Sequence, residues 1–126
     1  MPEDVKLVAL DIDGTLLAPG VPHNAVPDDT VVGAVKALQA RGIVVMLATG
    51  RMYPGTAPIA NHLGIKEPAI CQQGASIHHA DGELRYAYSI DQDIAAELYD
   101  FAISHGYSLA WFDHERYLVT SMSPAA

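Results

Sequence analysis

The stretch that decides the fold is VKLVALDIDGT, residues 5–15. Its first part, Val5–Leu10, is mostly apolar and predicts a short buried strand. Two aspartates follow, Asp11 and Asp13, and Gly14 then permits a sharp turn of the backbone. In an extended segment, side chains two residues apart point to the same side, so both carboxylates would face one direction. The segment therefore predicts a strand that ends in a pair of acids.

A second apolar run, Ile43–Ala48, predicts a strand that is apolar on both faces, as parallel strands usually are. Apolar residues between the two runs recur at the spacing of one helix face: Val31, Val35 and Leu38. Residues 28–30 offer candidate N-caps for this helix, and Gly42 is a natural stop. The first half of the chain thus predicts a strand–helix–strand unit with a parallel sheet.

The second half shows a different pattern, in which Asp81-Gly82 between two apolar runs predicts a hairpin. The remaining predicted elements are a helix over 54–62, a strand over 69–71, hairpin strands over 76–79 and 83–88, a helix over 91–105, and a strand pair over 107–112 and 116–120. We therefore predict an α/β fold in two parts, a parallel-sheet core over residues 1–84 and the start of a second domain, with αββ order, over residues 85–126.

Composition excludes several classes of function. The chain has 126 residues, half of them hydrophobic, a net charge of −8 and a single cysteine, Cys71. An internal disulfide is impossible, and the acidic balance argues against binding nucleic acid or anionic lipid. The acidic start does not resemble a secretory signal, and no apolar run reaches the length of a membrane span. We expect a cytoplasmic protein without nucleic-acid or membrane partners.

The pair Asp11 and Asp13 suits divalent-metal and phosphoryl chemistry. Carboxylates and a backbone carbonyl are hard oxygen ligands that Mg²⁺ prefers, and a carboxylate can attack phosphorus while its neighbour transfers protons. An ordinary surface loop and the metal-binding Asp-x-Asp of a glycosyltransferase remain alternatives. An EF-hand loop does not, because Leu16 stands where that loop needs glycine and Pro22 where it needs glutamate.

A second polar segment, Thr49-Gly50-Arg51, follows the second apolar strand as Asp11 follows the first. The carboxyl ends of parallel strands meet at one edge of a sheet, where ligands of doubly wound folds bind. The Thr49 hydroxyl and the Gly50 amide could hold a phosphoryl oxygen, and Arg51 could add positive charge. The alternative is an ordinary strand-to-helix turn with Thr49 as the N-cap of the next helix.

These two motifs resemble those of a known family. Residues 7–17 resemble motif I of the haloacid dehalogenase-like hydrolases, and residues 44–51 resemble motif II in its Cof-like form. The resemblance implies a Rossmannoid core with an α/β cap and a Mg²⁺-dependent phosphatase acting on a small phosphorylated metabolite such as a sugar phosphate.

The resemblance also assigns roles to single residues. Asp11 would be the nucleophile that forms an aspartyl-phosphate and a Mg²⁺ ligand. Asp13 would be the general acid/base and would give its backbone carbonyl to the metal. The implied phosphate-binding residues are Ile12, Gly14, Thr49, Gly50 and Arg51.

Residues 70–75 resemble a third landmark of Cof-like sequences, in which Gln73 replaces the usual asparagine, so that a substrate contact from this loop is not implied. The lysine and the Gly-Asp-x-x-Asn-Asp segment that complete the site in this family have no counterpart in the sequence. We therefore expect an N-terminal, truncated part of such an enzyme, with an open sheet edge that favours self-association.

Two other functions compete with this hypothesis. A non-catalytic phosphate- or metal-binding module, or a subunit completed by another chain, stays open. A signalling receiver domain needs its phospho-acceptor aspartate after the third strand, where this chain has Cys71-Gln72-Gln73.

Overall fold

The computed structural model of the protein describes residues 4–120. Its elements, in chain order, are β1 (Leu7–Leu10), α1 (Asp29–Ala40), β2 (Val44–Leu47), α2 (Tyr53–Leu63), β3 (Ala69–Cys71), β4 (Ser76–His78), β5 (Leu84–Ala87), α3 (Gln92–Ser104), β6 (Ala110–Phe112) and β7 (Tyr117–Val119). Across residues 4–120, no helix is long and apolar enough to cross a membrane. The chain divides into two compact units, the first ending at Ala87 and the second beginning at Tyr88.

The first unit contains the predicted parallel arrangement. β1 and β2 pair in parallel, with Leu7 opposite Val44 and Leu10 opposite Leu47. A further parallel bridge joins Ala48 to Ile70, which brings β3 beside the end of β2. The strands β1, β2 and β3 therefore end at the same edge, as the sequence predicted.

Helix α1 forms where the apolar spacing predicted it. The Asp28 side chain accepts a hydrogen bond of 3.0 Å from the Val31 N–H and so caps the first turn. Val35, 2% exposed, packs in a core that includes Val45 and Leu47 of β2. Residues of α2 complete this core on the same side of the sheet: Thr56, Ile59 and Leu63 are buried there.

β1 was predicted as a buried strand and β2 as apolar on both faces, but one face of the pair is largely exposed. Leu7 is 51% exposed and its partner Val44 is 38% exposed. Side chains alternate between the faces of a strand, so these two share the face opposite to Val45 and Leu47. The core cluster with α1 and α2 forms on the Val45 side alone.

The predicted hairpin is confirmed. β4 pairs antiparallel with both β3 and β5, and Gly82 at the turn has φ of +94°. The Tyr53 hydroxyl donates a 3.0 Å hydrogen bond to the Ala80 carbonyl and so ties the hairpin to α2. The predicted boundary between residues 84 and 85 would cut β5, which belongs to the first unit because it pairs with β4. The assignment of the units as core and cap stays a prediction.

The second unit contains α3 and the antiparallel pair β6–β7. The Asp91 side chain caps α3 by accepting a 2.9 Å hydrogen bond from the Asp93 N–H. The apolar stripe predicted for this helix is present but exposed: Ile94 is 53%, Leu98 45% and Phe101 55% accessible. The elements of this unit were correctly predicted, within three residues at each end.

Candidate active site

The three parallel strands of the first unit end at one cavity. Asp11 follows β1 directly, Thr49 lies two residues beyond β2, and the turn Gln72–Gly74 follows β3. The cavity has a volume of about 700 Å³ and is lined by Asp11, Asp13, Ala48, Thr49, Gly50, Arg51, Ile70, Gln73 and Gly74. Polar groups from three separate segments therefore converge where a parallel sheet is expected to bind a ligand.

The turn after β1 is anchored by Ile12. Its side chain is fully buried, and its carbonyl accepts the N–H groups of Thr15, Leu16 and Leu17 at 3.3, 3.0 and 2.9 Å. Gly14 has φ of +83°, a left-handed conformation that glycine adopts without steric cost. With Ile12 held in the core, the flanking acids Asp11 and Asp13 are exposed at the cavity.

Thr49 is not the N-cap of the following helix. α2 starts after Met52, whose side chain makes no capping bond. The Thr49 hydroxyl oxygen instead accepts a 3.1 Å hydrogen bond from the Arg51 N–H, and Thr49 itself is 5% exposed. This local bond fixes the hydroxyl at the cavity wall, and its own hydrogen stays available for an acceptor.

Arg51 and Asp13 form a bidentate ion pair across the cavity rim. The Arg51 Nε and one terminal nitrogen donate to the two Asp13 carboxylate oxygens at 2.7 and 2.6 Å. The other terminal nitrogen donates to the carbonyls of His23 and Gly55 at 3.4 and 3.3 Å. One guanidinium, with 9% of its side chain exposed, therefore connects three segments of the chain.

This ion pair stabilises the charged forms of both groups. The hydrogen bond from Arg51 lowers the pKa of Asp13, against the opposing effect of desolvation. The same bond raises the pKa of Arg51, helped by the nearby charges of Asp13 and Asp11. Asp13 is thus a carboxylate at neutral pH, and most donors of Arg51 are already in use.

The structure brings together most of the site residues that the sequence predicted. Asp11, Asp13, Thr49, Gly50 and Arg51 all line the cavity. The other two predicted phosphate ligands, Ile12 and Gly14, are not among the lining residues, and the Gly14 N–H is already donated to the Leu17 carbonyl at 2.8 Å.

The sequence prediction omitted four residues of the cavity wall: Ala48, Ile70, Gln73 and Gly74. A signal for them existed, because β3 was predicted and the residues after a parallel strand lie at the ligand edge of the sheet. No substrate contact was predicted for this loop, because Gln73 replaces the asparagine that is usual there.

The site offers few ligands for a metal ion. Within residues 4–120, no group of three or more His, Cys, Asp or Glu side chains is placed to hold one. Both carboxylate oxygens of Asp13 are engaged by Arg51, whereas Asp11 is exposed to the cavity. This donor set fits a largely hydrated Mg²⁺, which is commonly bound by one or two carboxylates together with substrate phosphate and water.

Comparison with known proteins agrees with this architecture. Residues 8–125 match the haloacid dehalogenase-like hydrolase family. Phosphatase YwpJ of Bacillus subtilis is 34% identical over 113 residues, which cover 90% of this chain and 35% of that protein. An HMP-PP phosphatase of Serratia proteamaculans is 37% identical over 93 residues, which cover 74% of this chain and 32% of that protein.

A solved structure shows the same fold. A haloacid dehalogenase-like hydrolase from B. subtilis superimposes with a TM-score of 0.77 at 29% identity, covering 95% of this chain and 41% of that chain. The chain thus spans about a third of the length of the two curated phosphatases and two fifths of this structure.

Proposed function

Because the chain belongs to the haloacid dehalogenase-like hydrolase family, we propose that its cavity binds the phosphoryl group of a small phosphate ester for hydrolysis. The observation that carries this proposal is the convergence of Asp11, Thr49 and Gly50 at one cavity, each after a parallel strand. A volume of about 700 Å³ suits a small metabolite. The two relatives described above are themselves named phosphatases.

In the proposed reaction Asp11 is the nucleophile. A carboxylate oxygen of Asp11 attacks phosphorus, the bond from phosphorus to the ester oxygen breaks, and the phosphoryl group passes to Asp11 as an acyl phosphate. The Thr49 hydroxyl and the Gly50 N–H donate to the transferring phosphoryl oxygens. Water then cleaves the acyl phosphate, which releases phosphate and restores Asp11.

Asp13 is the proposed general acid and base. It would give a proton to the departing ester oxygen and later take one from the attacking water. The bond from Arg51 favours the carboxylate form of Asp13, which suits the second task directly. For the first task Asp13 must be protonated, so its hydrogen bonds with Arg51 have to weaken when substrate binds.

Mg²⁺ is the proposed cofactor, held by the Asp11 carboxylate and the Asp13 backbone carbonyl. When bound, it would neutralise charge between Asp11 and the incoming phosphoryl group. The chain's own residues supply the remaining work: Arg51 holds Asp13 at the cavity rim, and buried Ile12 holds the turn between the two acids.

The proposed partner is a small phosphorylated metabolite. Self-association through the open sheet edge is a further proposal, and the apolar area that Leu7 and Val44 expose on one face of β1–β2 also supports association. Sedimentation equilibrium over a range of protein concentrations tests it, and a constant monomer mass would count against it. A cytoplasmic location stays a prediction from the sequence, which fractionation of cells expressing a tagged chain would test.

Phosphate release from an aryl phosphate in the presence of Mg²⁺ tests the proposed function. We expect release, even if slow, to be lost in Asp11→Asn and kept in Asp93→Asn, which makes the same change on the exposed surface of α3. Release that survives Asp11→Asn refutes the role of Asp11.

The same experiment also tests the second candidate function, that of a non-catalytic phosphate-binding module or subunit. Mg²⁺-dependent binding of inorganic phosphate without any turnover indicates a binding module, or a subunit that another chain completes. The Asp13–Arg51 pair favours this candidate, because it keeps Asp13 in the carboxylate form, which cannot give a proton to the leaving group.

A further inference from the structure

The turn after β3 has an unusual backbone. Gln72 and Gln73 have φ of +52° and +58°, so two consecutive non-glycine residues lie in the left-handed region. L-residues rarely adopt this conformation because Cβ approaches the neighbouring carbonyl oxygen. Such conformations persist where the surrounding structure requires them, and they cluster at ligand sites.

Gln72 has a structural reason for its place in this turn. Its side-chain oxygen accepts a 3.0 Å hydrogen bond from the Ser76 hydroxyl, and Ser76 is buried. Its N–H donates to the Arg51 carbonyl at 3.0 Å. Gln72 therefore connects the turn to β4 and to the Thr49–Arg51 segment.

Gln73 is exposed, and its side chain lines the cavity. Its N–H donates to the Thr49 carbonyl at 3.3 Å, which sets the turn against the end of β2. The hydrogen bond to buried Ser76 that accounts for Gln72 does not account for Gln73, so we look for another reason for the position of the Gln73 side chain at the cavity.

The Gln73 amide lies directly over Gly50. A Cβ at residue 50 would come within 2.5 Å of the Gln73 side-chain nitrogen and 3.1 Å of its amide carbon. Gly50 has no left-handed φ, so the backbone conformation does not demand glycine here. The absent side chain at residue 50 leaves the space that the end of the Gln73 side chain occupies, and a larger residue there would displace it.

We propose that Gln73 binds substrate, its side-chain amide donating a hydrogen bond to the phosphoryl oxygen that Thr49 and Gly50 also hold. This inference rests on the proposed function and adds a third donor, from the third strand, to the same site. A neutral amide donates a hydrogen bond to the anion without adding charge to the site. The unfavourable turn is then retained because it presents this amide.

The proposal predicts opposite effects on stability and on binding. Gln73→Gly removes both the steric conflict and the donor, so it should raise the thermal midpoint while weakening phosphate binding. Gln73→Glu keeps the shape, removes the donor and adds a negative charge. It should weaken phosphate binding about tenfold or more, since tenfold corresponds to one lost hydrogen bond.

The experiment is a titration of the 126-residue chain with inorganic phosphate in the presence of Mg²⁺, followed by amide chemical shifts. Gln92→Glu makes the same chemical change at an exposed residue of the second unit and should bind like the parent. Thr49→Val reports on the proposed phosphate site independently of Gln73.

Each outcome decides a different point. Weaker binding in Thr49→Val with unchanged binding in Gln73→Glu and Gln73→Gly overturns the role of Gln73 and leaves the proposed function intact. No phosphate-dependent shift in the parent chain overturns both. A Gln73→Gly chain that is less stable than the parent shows that the turn serves the fold, and this also overturns the inference.

Discussion

Helices α2 and α3 both carry apolar residues along one face, but these residues are buried in α2 and exposed in α3. Both carry a leucine on their apolar stripe, yet Leu63 of α2 is fully buried while Leu98 of α3 is 45% exposed. Leu63 belongs to a core that includes Val45 and Leu47 of the parallel sheet. The spacing of apolar residues determines that a helix forms, and the surface available to pack against it determines whether the helix becomes stabilised.

The two units repeat other features that make the comparison testable. Each has a helix capped by an aspartate, Asp28 in the first unit and Asp91 in the second. Each also has an ion pair between an arginine and an aspartate, with very different exposure of the arginine. Equivalent substitutions in the two units therefore separate the effect of burial from that of residue type.

The largest expected difference comes from Leu63→Ala and Leu98→Ala. Leu63→Ala should lower the free energy of unfolding by about 2–5 kcal/mol, because it leaves a cavity in a packed core. Leu98→Ala should change it by less than about 0.5 kcal/mol, as is usual at exposed positions. Urea unfolding followed by circular dichroism measures both, and equal losses would show that α3 is packed as firmly as α2.

The helix caps should give a smaller difference. Asp28→Ala should destabilise the first unit by about 1 kcal/mol, because it leaves the Val31 N–H without its acceptor. Asp91→Ala should reduce the helicity of α3, read from Cα chemical shifts, without moving the unfolding midpoint of the first unit. A shift of that midpoint by Asp91→Ala would mean that the two units unfold together.

The ion pairs should differ in how they affect stability at acid pH. The pKa of Asp13 lies below its usual 3.8 because of the bond from Arg51. The stabilisation is therefore present above pH 3.8 and is lost as pH falls through the lower folded-state pKa. Arg51→Met should remove this acid dependence, which unfolding midpoints measured from neutral pH to below about pH 4 would record.

Arg116→Met is the matched control for that substitution. The pKa of Asp113 is lowered first by the backbone N–H of Glu115 and then by that of Arg116, so loss of the exposed Arg116 side chain should leave the acid limb nearly unchanged. If the unfolding midpoints of Arg51→Met and the parent fall equally at acid pH, the Asp13–Arg51 pair is no stronger than the exposed Asp113–Arg116 pair.

The smallest effect is expected at alkaline pH, from Cys71 in the core of the first unit. Burial raises the pKa of its thiol above the ordinary 9.0, partly offset by the hydrogen bond to Thr56. Its stabilising contribution is full below pH 9.0 and declines as pH rises through the folded-state pKa. Cys71→Ala should show a shallower decline in unfolding free energy between pH 8 and pH 10, and an unchanged slope would contradict the burial effect.

The sequence predicted the elements better than their burial. Apolar periodicity and capping residues are local, so α1, α3 and the hairpin were found with small errors at their ends. The exposure of Leu7 and Val44 was not predictable in this way, because both are apolar and only the position of the helices shows which face they leave uncovered.

The site was predicted in part for the same reason. Asp11, Asp13, Thr49 and Gly50 follow from their places after the strands. The ion pair between Arg51 and Asp13 joins residues 38 positions apart and depends on the conformations of two loops. A local sequence pattern contains no information on such a contact. The left-handed conformation of Gln73 was not predicted either, because glutamine is not among the residue types enriched in that conformation.

The arginine that joins three segments also bears on the order in which the molecule folds. The residues that it bonds, Asp13 and His23, are 38 and 28 positions away in the sequence. The pairing of Leu7 with Val44 likewise joins residues on either side of the whole β1–β2 connection. Contacts between distant residues require loop closure and form slowly, whereas helices and hairpins form early. The parallel pair and the cavity rim are therefore expected to assemble last in the first unit, so a newly made chain acquires its helices and hairpin before it acquires a site.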